Sequence, residues 1–210
     1  MADRNPRICI SAGHGIGSRR PRREDPGAEV VDYDGTESDL VLNAAKSVVY
    51  DLNRLFAAKK RGHAFLRDEG AYYLADDYAV NHDCDLFIEL HTNAGSKRAS
   101  GTSVLYEAPA SHDFAAALSR RLANALHLDD HGAVKRDDLA VLSPHKALPR
   151  QVLVEMFFGS NSNDVAHWKR YRDAAILALV NAVLANRGWK PLKKRPRDMS
   201  ALALKLYKPY

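Results

Sequence analysis

The sequence is poor in several features that would set it apart from an ordinary globular chain. Its 210 residues hold only two cysteines, Cys9 and Cys84, with no C-x-x-C spacing, so neither a disulfide framework nor a thiolate metal site is expected. Buried free thiols are the plainer reading. No stretch approaches the roughly 18 consecutive apolar residues of a membrane span, so no transmembrane segment is expected. The apolar run that follows Met1 to Arg7 is too short for a signal-peptide core, and no cleavage-like site comes after it. Synthesis in the cytoplasm follows as an expectation, and action outside would need another route of release. Neither Ser11 nor Ser143 sits in a G-x-S-x-G elbow. Gly13-His14-Gly15-Ile16-Gly17 lacks the G-x-G-x-x-G spacing of a phosphate loop. There is no internal repeat.

What is present suits one α/β domain with a short appendage. A chain of this length buries roughly 70% of its unfolded surface and needs no covalent staples. Hydrophobic residues make up 46% and charged residues 27%, the composition of a soluble globular domain. The net charge is +5, and part of it is local. Arg19, Arg20, Arg22 and Arg23 lie near the front, and Lys190, Lys193, Lys194, Arg195 and Arg197 near the end. Such charge attracts nucleic acid, anionic lipid or acidic polymers without choosing among them.

Apolar runs alternate with amphipathic stretches. Strands are expected over residues 7–12, 63–67, 85–91, 101–107, 139–142 and 151–157. Helices are expected over a segment opened by Thr36-Glu37-Ser38-Asp39 and stopped at Gly62, and over 71–81, 112–126 and 163–185, the last in one or two pieces. Residues 13–34 read as a long loop, as does the polar stretch after 126. This order predicts a mixed, mainly parallel sheet with helices on both faces. The domain is expected to span 1–188, with 189–210 a basic C-terminal tail outside the core.

Chemistry concentrates where strands stop. Ile8-Cys9-Ile10-Ser11-Ala12-Gly13-His14-Gly15 and Leu86-Phe87-Ile88-Glu89-Leu90-His91-Thr92-Asn93 each carry an apolar run to a histidine and then turn. In open α/β folds, ligands bind at that edge of the sheet. A catalytic zinc site takes three protein ligands and keeps one position open. His14 and His91 supply two. For the third, Glu37 lies in the first turn of the first helix, Glu29 in the loop, and Glu89 shares a strand face with His91. Each residue alone has a plain reading: a hydrogen-bonded strand-end histidine, or an acid favoured by the helix dipole. Glu155, inside Gln151-Val152-Leu153-Val154-Glu155-Met156-Phe157, is different, because a buried carboxylate is costly without a partner or a task. His145 precedes that strand as either a solvent-facing loop residue or an oxyanion donor. The remaining histidines show no ligand spacing.

Taken in order, Gly13-His14-Gly15, Asp25-Pro26-Gly27-Ala28, Glu37, Leu90-His91-Thr92-Asn93-Ala94 and Leu153-Val154-Glu155 resemble the zinc-dependent N-acetylmuramoyl-L-alanine amidases of the type-3 class. The resemblance runs from about residue 7 to 186. It implies Zn2+ held by His14, Glu37 and His91, with Glu155 as catalytic acid/base. It also implies hydrolysis of the amide between N-acetylmuramic acid and the stem peptide's L-alanine. The partner implied is peptidoglycan, not nucleic acid, and the chain is expected to act as a monomer. Two departures stand out: the arginine-bearing insertion 16–24, and Glu89 where the family more often has serine. A compact amidase of this kind resembles a phage endolysin, made in the host cytoplasm and acting on the wall after release. The tail, with Leu202, Leu204, Leu206 and Tyr207 among its basic residues, would touch anionic envelope surfaces. The competing functions are a zinc carboxypeptidase-like hydrolase of a small amide and a wall-binding protein with a structural metal. Retention of an acid at Glu155 weighs against the second.

Overall fold

The computed structural model describes residues 5–142 and 148–200. In chain order the elements are β1 (Arg7–Ala12), β2 (Gly15–Ile16), β3 (Glu24–Asp25), α1 (Glu37–Lys59), β4 (His63–Arg67), α2 (Ala75–Asn81), β5 (Leu86–Asn93), β6 (Thr102–Tyr106), α3 (His112–Leu126), β7 (Asp130–Lys135), β8 (Gln151–Phe158) and α4 (Ser162–Asn186). Six strands form one sheet in the order β4-β1-β5-β8-β6-β7, while β2 and β3 pair separately. The strands β4, β1, β5 and β8 are mutually parallel, and β6 and β7 run against them.

Handedness explains where the helices lie. The chain leaves β1 for β4 on one side, then returns past β1 to β5 on the other. Right-handed crossovers therefore put α1 and α2 on opposite faces. The β6-to-β7 crossover proceeds in the second sense, but its strands are reversed, which returns α3 to the face of α1. With α4 there too, that face holds the large core of Ile8, Ile10, Leu86, Leu90 and Val154 under three long helices. The other face carries a smaller cluster, including Cys9, Phe87, Leu105 and Leu153, covered by α2 and the turn around Val141 and Leu142. Helices on both faces are thus found, but unequally. The thin cover leaves room for a cleft.

Two predicted details differ. The polar stretch after α3 contains β7, whose Asp130-His131-Gly132-Ala133-Val134-Lys135 is an exposed edge strand with no buried face to impose alternation. The run 139–142, expected as a strand, ends in a 3-10 turn over Ala140–Leu142. Its apolar side chains cap the smaller cluster and pair with no strand. Expected helix 71–81 is a 3-10 turn, Tyr72–Leu74, followed by α2, and α4 is unbroken.

The stretch expected to lie outside the core does not do so as far as residue 199. Trp189 and Leu192 join the main core, and Trp189 packs edge-on against Phe56 of α1. Arg195, 4% exposed, donates to Asp51 of α1 at 2.6 Å and to Asp173 of α4 at 2.7 Å. Arg197 adds its backbone N–H to Asp51 and its guanidinium to Asp173. The basic residues of this stretch therefore include the partners of helix carboxylates. Residues 201–210 lie outside the described residues. Because Asp51 is fully buried, removing its cation leaves an uncompensated charge. Arg195→Met is expected to lower the unfolding free energy by about 3–5 kcal/mol, read from urea denaturation.

Candidate metal centre

The switch point of the sheet, where the chain departs from β1 to either side, lies between β1 and β5. His14 follows β1 and His91 lies near the end of β5, so the topology brings both to one crevice. His14 sits at φ 66°, a left-handed conformation that turns its ring back over the sheet edge. Two glycines make space. A Cβ on Gly13 would fall 2.2 Å from the His91 ring, and one on Gly27 would fall 2.5 Å from a Glu37 carboxylate oxygen.

Glu37 reaches the crevice because another residue caps its helix. Thr36 accepts from the Asp39 amide at 3.1 Å, and Asp39 accepts from the Thr36 amide at 2.9 Å, completing a capping box. Glu37, 1% exposed, turns inward. Its Oε2 accepts from the Ala28 amide and its Oε1 from the Thr92 amide, both at 2.7 Å. The carboxylate then stands 3.2 Å from His14 Nε2 and 3.5 Å from His91 Nδ1, and those two nitrogens are 3.2 Å apart. Two imidazole nitrogens and a carboxylate oxygen thus converge, their ligand atoms all within 4.8 Å of one another.

The outer partners settle which nitrogen of each ring faces inward. His14 Nδ1 lies 3.0 Å from Asp25 Oδ2, so that N–H donates outward and Nε2 is left for a cation. His91 Nε2 lies 3.1 Å from Glu89 Oε1, leaving Nδ1 for the same point. This nitrogen-and-oxygen set, with both rings oriented by carboxylates, fits a divalent cation such as zinc. Glu29 is exposed and outside the cluster; Glu89 stands behind His91. His145 lies outside the described residues.

Glu155 pairs in register with His91 on one side and with Ser103 on the other, which puts it on the strand beside the cluster. Its Oε2 is buried and has no hydrogen-bond partner among the described residues. A cavity of about 600 Å³ adjoins the cluster, lined by His14, His91, Arg19, Tyr72, Asp138 and Leu153 among others. Two lining residues carry no sequence signal of a role in the site: Arg19, which lies 3.1 Å from Asp25, and Asp138, which accepts a bidentate pair from Arg136. No periodicity marks them. Asp25 was visible as the start of Asp-Pro-Gly-Ala, though its service to His14 was not.

The electrostatics divide the acids into two kinds. Burial opposes charge on Glu37, but hydrogen bonds with His14 and His91 and the Thr92 amide overcome it and hold the carboxylate far below its usual range. Burial likewise disfavours a charged His91, yet Glu37 and Glu89 push it up to about 10; His14 also rises against burial, mainly through Glu37. In Glu155 burial wins: desolvation raises it, the negative charge of Glu37 adds to the rise, and His91 opposes it. Glu37, held ionised, suits a cation ligand, while the raised proton affinity of Glu155 suits a group that takes up and gives back a proton.

The mixed α/β sheet thus gathers at its switch point two histidines and a glutamate that could hold a metal ion, with Glu155 on the neighbouring strand. The sequence profile of the N-acetylmuramoyl-L-alanine amidases matches residues 8–185, and the chain belongs to that family. Among curated proteins, "Uncharacterized protein YqiI" of Bacillus subtilis (strain 168) is 31% identical over 137 residues, covering 56% of this chain and 65% of that protein. The chain thus spans just under two thirds of that relative's length. The solved catalytic domain of CwlV, an N-acetylmuramoyl-L-alanine amidase from Bacillus (Paenibacillus) polymyxa var. colistinus, superposes with a TM-score of 0.72 at 22% identity, over 86% of this chain and 97% of that one. The amidase AmiC2 of Nostoc punctiforme gives 0.71 at 19% identity, over 86% and 96%. The catalytic domain of CD27L, an endolysin targeting Clostridia difficile, gives 0.65 at 21% identity, over 86% and 97%.

The metal-free protein should carry a pH signature of the cluster. His91, raised from its usual 6.5, contributes stability that is complete below pH 6.5 and disappears as pH climbs toward 10. Glu37, depressed from its usual 4.5, contributes in full above that value and loses its share as pH falls further. The difference in unfolding free energy between wild type and His91→Gln is therefore expected to shrink between pH 6.5 and 10. A difference that stays constant across that interval contradicts the charged pairing.

Proposed function

We propose that this chain hydrolyses the amide between N-acetylmuramic acid and the L-alanine of the peptidoglycan stem peptide, with zinc held by His14, Glu37 and His91 and with Glu155 as catalytic acid/base. The observation that carries the reading is the pairing of a three-ligand cluster with an adjacent acid whose inner oxygen has no hydrogen-bond partner among the described residues. Family membership supplies the substrate class.

Bound at the cluster, the cation would polarise the scissile carbonyl and make water a nucleophile at neutral pH. The chain's own groups do the rest. Asp25 and Glu89 hold the two imidazoles in the tautomers that turn a lone pair inward. The Ala28 and Thr92 amides keep Glu37 ionised and fixed. Glu155 takes a proton from the attacking water and returns it to the alanine nitrogen as the C–N bond breaks, so the amine leaves neutral. Its raised proton affinity suits both halves of that transfer.

In this reading the chain serves as an endolysin, made in the host cytoplasm and released onto the wall; its fold is common to CD27L and to amidases not named as endolysins, so the role is decided by a lysis test. Lysis of the expressing cell only when a membrane-permeabilising partner is co-expressed is the outcome expected.

Two measurements test the chemistry. Digestion of purified peptidoglycan followed by mass analysis should yield free stem peptides beginning at L-alanine on intact glycan; new reducing sugar ends would exclude the amidase. Glu155→Gln should retain zinc yet lose on the order of 10²–10⁴-fold in turnover. Near-normal turnover in that variant would remove Glu155 from the reaction.

A further inference from the structure

We infer that Glu89 is a positioning residue that selects the metal-facing nitrogen of His91, anchored by a polar row running across the sheet. The inference rests on the reading of His91 as a metal ligand. Arg67 of β4, Ser11 of β1 and Glu89 of β5 are register partners on three adjacent strands. Being in register, they share one face, the one on which α2 and the Val141–Leu142 turn pack. All three are buried, at 4%, 0% and 3% exposure.

The two oxygens of Glu89 have different work. Oε2 accepts from the Ser11 hydroxyl at 2.8 Å and lies 3.8 Å from an Arg67 guanidinium nitrogen. The same Arg67 nitrogen donates to the Ser11 hydroxyl at 3.3 Å. Arg67 is itself immobilised, because its other terminal nitrogen donates to the carbonyls of Gly70 and Ala71. Oε1 points the other way and meets His91 Nε2 at 3.1 Å. A counter-ion for Arg67 alone would have no reason to divide its oxygens so. Because a carboxylate can only accept, it holds a His91 proton on Nε2, so Nδ1 is the nitrogen that gives up its proton when a cation binds. That nitrogen is the one facing His14 and Glu37.

A buried carboxylate in place of a small neutral side chain would make the chain dependent on its countercharge, and Arg67 supplies one from two strands away, across Ser11. The row also ties the metal ligand to the segment at Gly70 and Ala71, next to Tyr72 at the rim of the cavity. His14 has the equivalent device in Asp25, which reaches it from β3 and not from the six-stranded sheet.

The test is zinc affinity, measured by chelator competition on wild type, Glu89→Gln, Glu89→Ala and His91→Ala, alongside imidazole 15N shifts of the zinc-loaded proteins. Glu89→Ala is expected to weaken zinc binding about 10–100-fold, with a smaller loss for Glu89→Gln, whose amide oxygen still accepts from Nε2. The wild-type spectrum should show His91 protonated at Nε2, and that signature should blur in Glu89→Ala. If Glu89→Ala does not fold, Glu89→Leu decides, since it removes the acceptor while keeping a side chain of similar size. Unchanged affinity and tautomer in the Glu89 variants, with affinity lost in His91→Ala, overturn the positioning role alone. Unchanged affinity in His91→Ala overturns the metal reading, and this inference falls with it.

Discussion

The Glu37 carboxylate is the joint on which the crevice is assembled. One oxygen accepts the amide of Thr92 at the end of β5, the other the amide of Ala28 in the loop that follows β3. The residue itself begins α1. Three segments, one of them 55 residues away, are thereby fixed to a single ionised group, and the same group stands beside both imidazoles. An isolated carboxylate in such a dry place would be costly. Here it is matched by two amide donors and two rings that either hold protons or share a cation. The site and the local fold therefore stabilise each other, and neither is complete without the other.

The uneven cover of the sheet follows from the connections and has a functional result. Three long helices on one face supply most of the apolar burial, which lets the opposite face carry polar residues without loss of a core. Arg67, Ser11, Glu89, His91 and Glu155 occupy that second face or its edge. Their strand neighbours Ile8, Leu90 and Val154 point into the main core. Period-two alternation thus sorts chemistry from packing within single strands. The return of residues 189–199 across α1 and α4 closes the far side, where Arg195 neutralises Asp51 and Asp173.

Much of this was legible because the signals were local. The strand-end histidines, the Thr36 start of α1, the long apolar strands and the inward carboxylate at Glu155 all follow from short-range patterns of hydrophobicity, turns and capping. Elements governed by their surroundings were not legible. The edge strand β7 has no buried face, so nothing in its sequence alternates. The apolar run before residue 143 imitates a strand because it covers a cluster. The basic stretch 189–199 resembles a linker in composition, since a guanidinium that neutralises a buried aspartate is indistinguishable in sequence from one in water.

By itself the sequence determined which residues could bind a metal and roughly where along the chain strands and helices would place them, because periodicity and capping are properties of neighbouring residues. Its spacing left Glu29, Glu37 and Glu89 as rivals for one position, and only the family resemblance favoured Glu37. The tertiary structure separates them by geometry, setting Glu37 between two amides and both imidazoles, Glu89 behind His91, and Glu29 in solvent. That choice depends on which strands lie side by side and in what register, a long-range arrangement that no short stretch of sequence encodes.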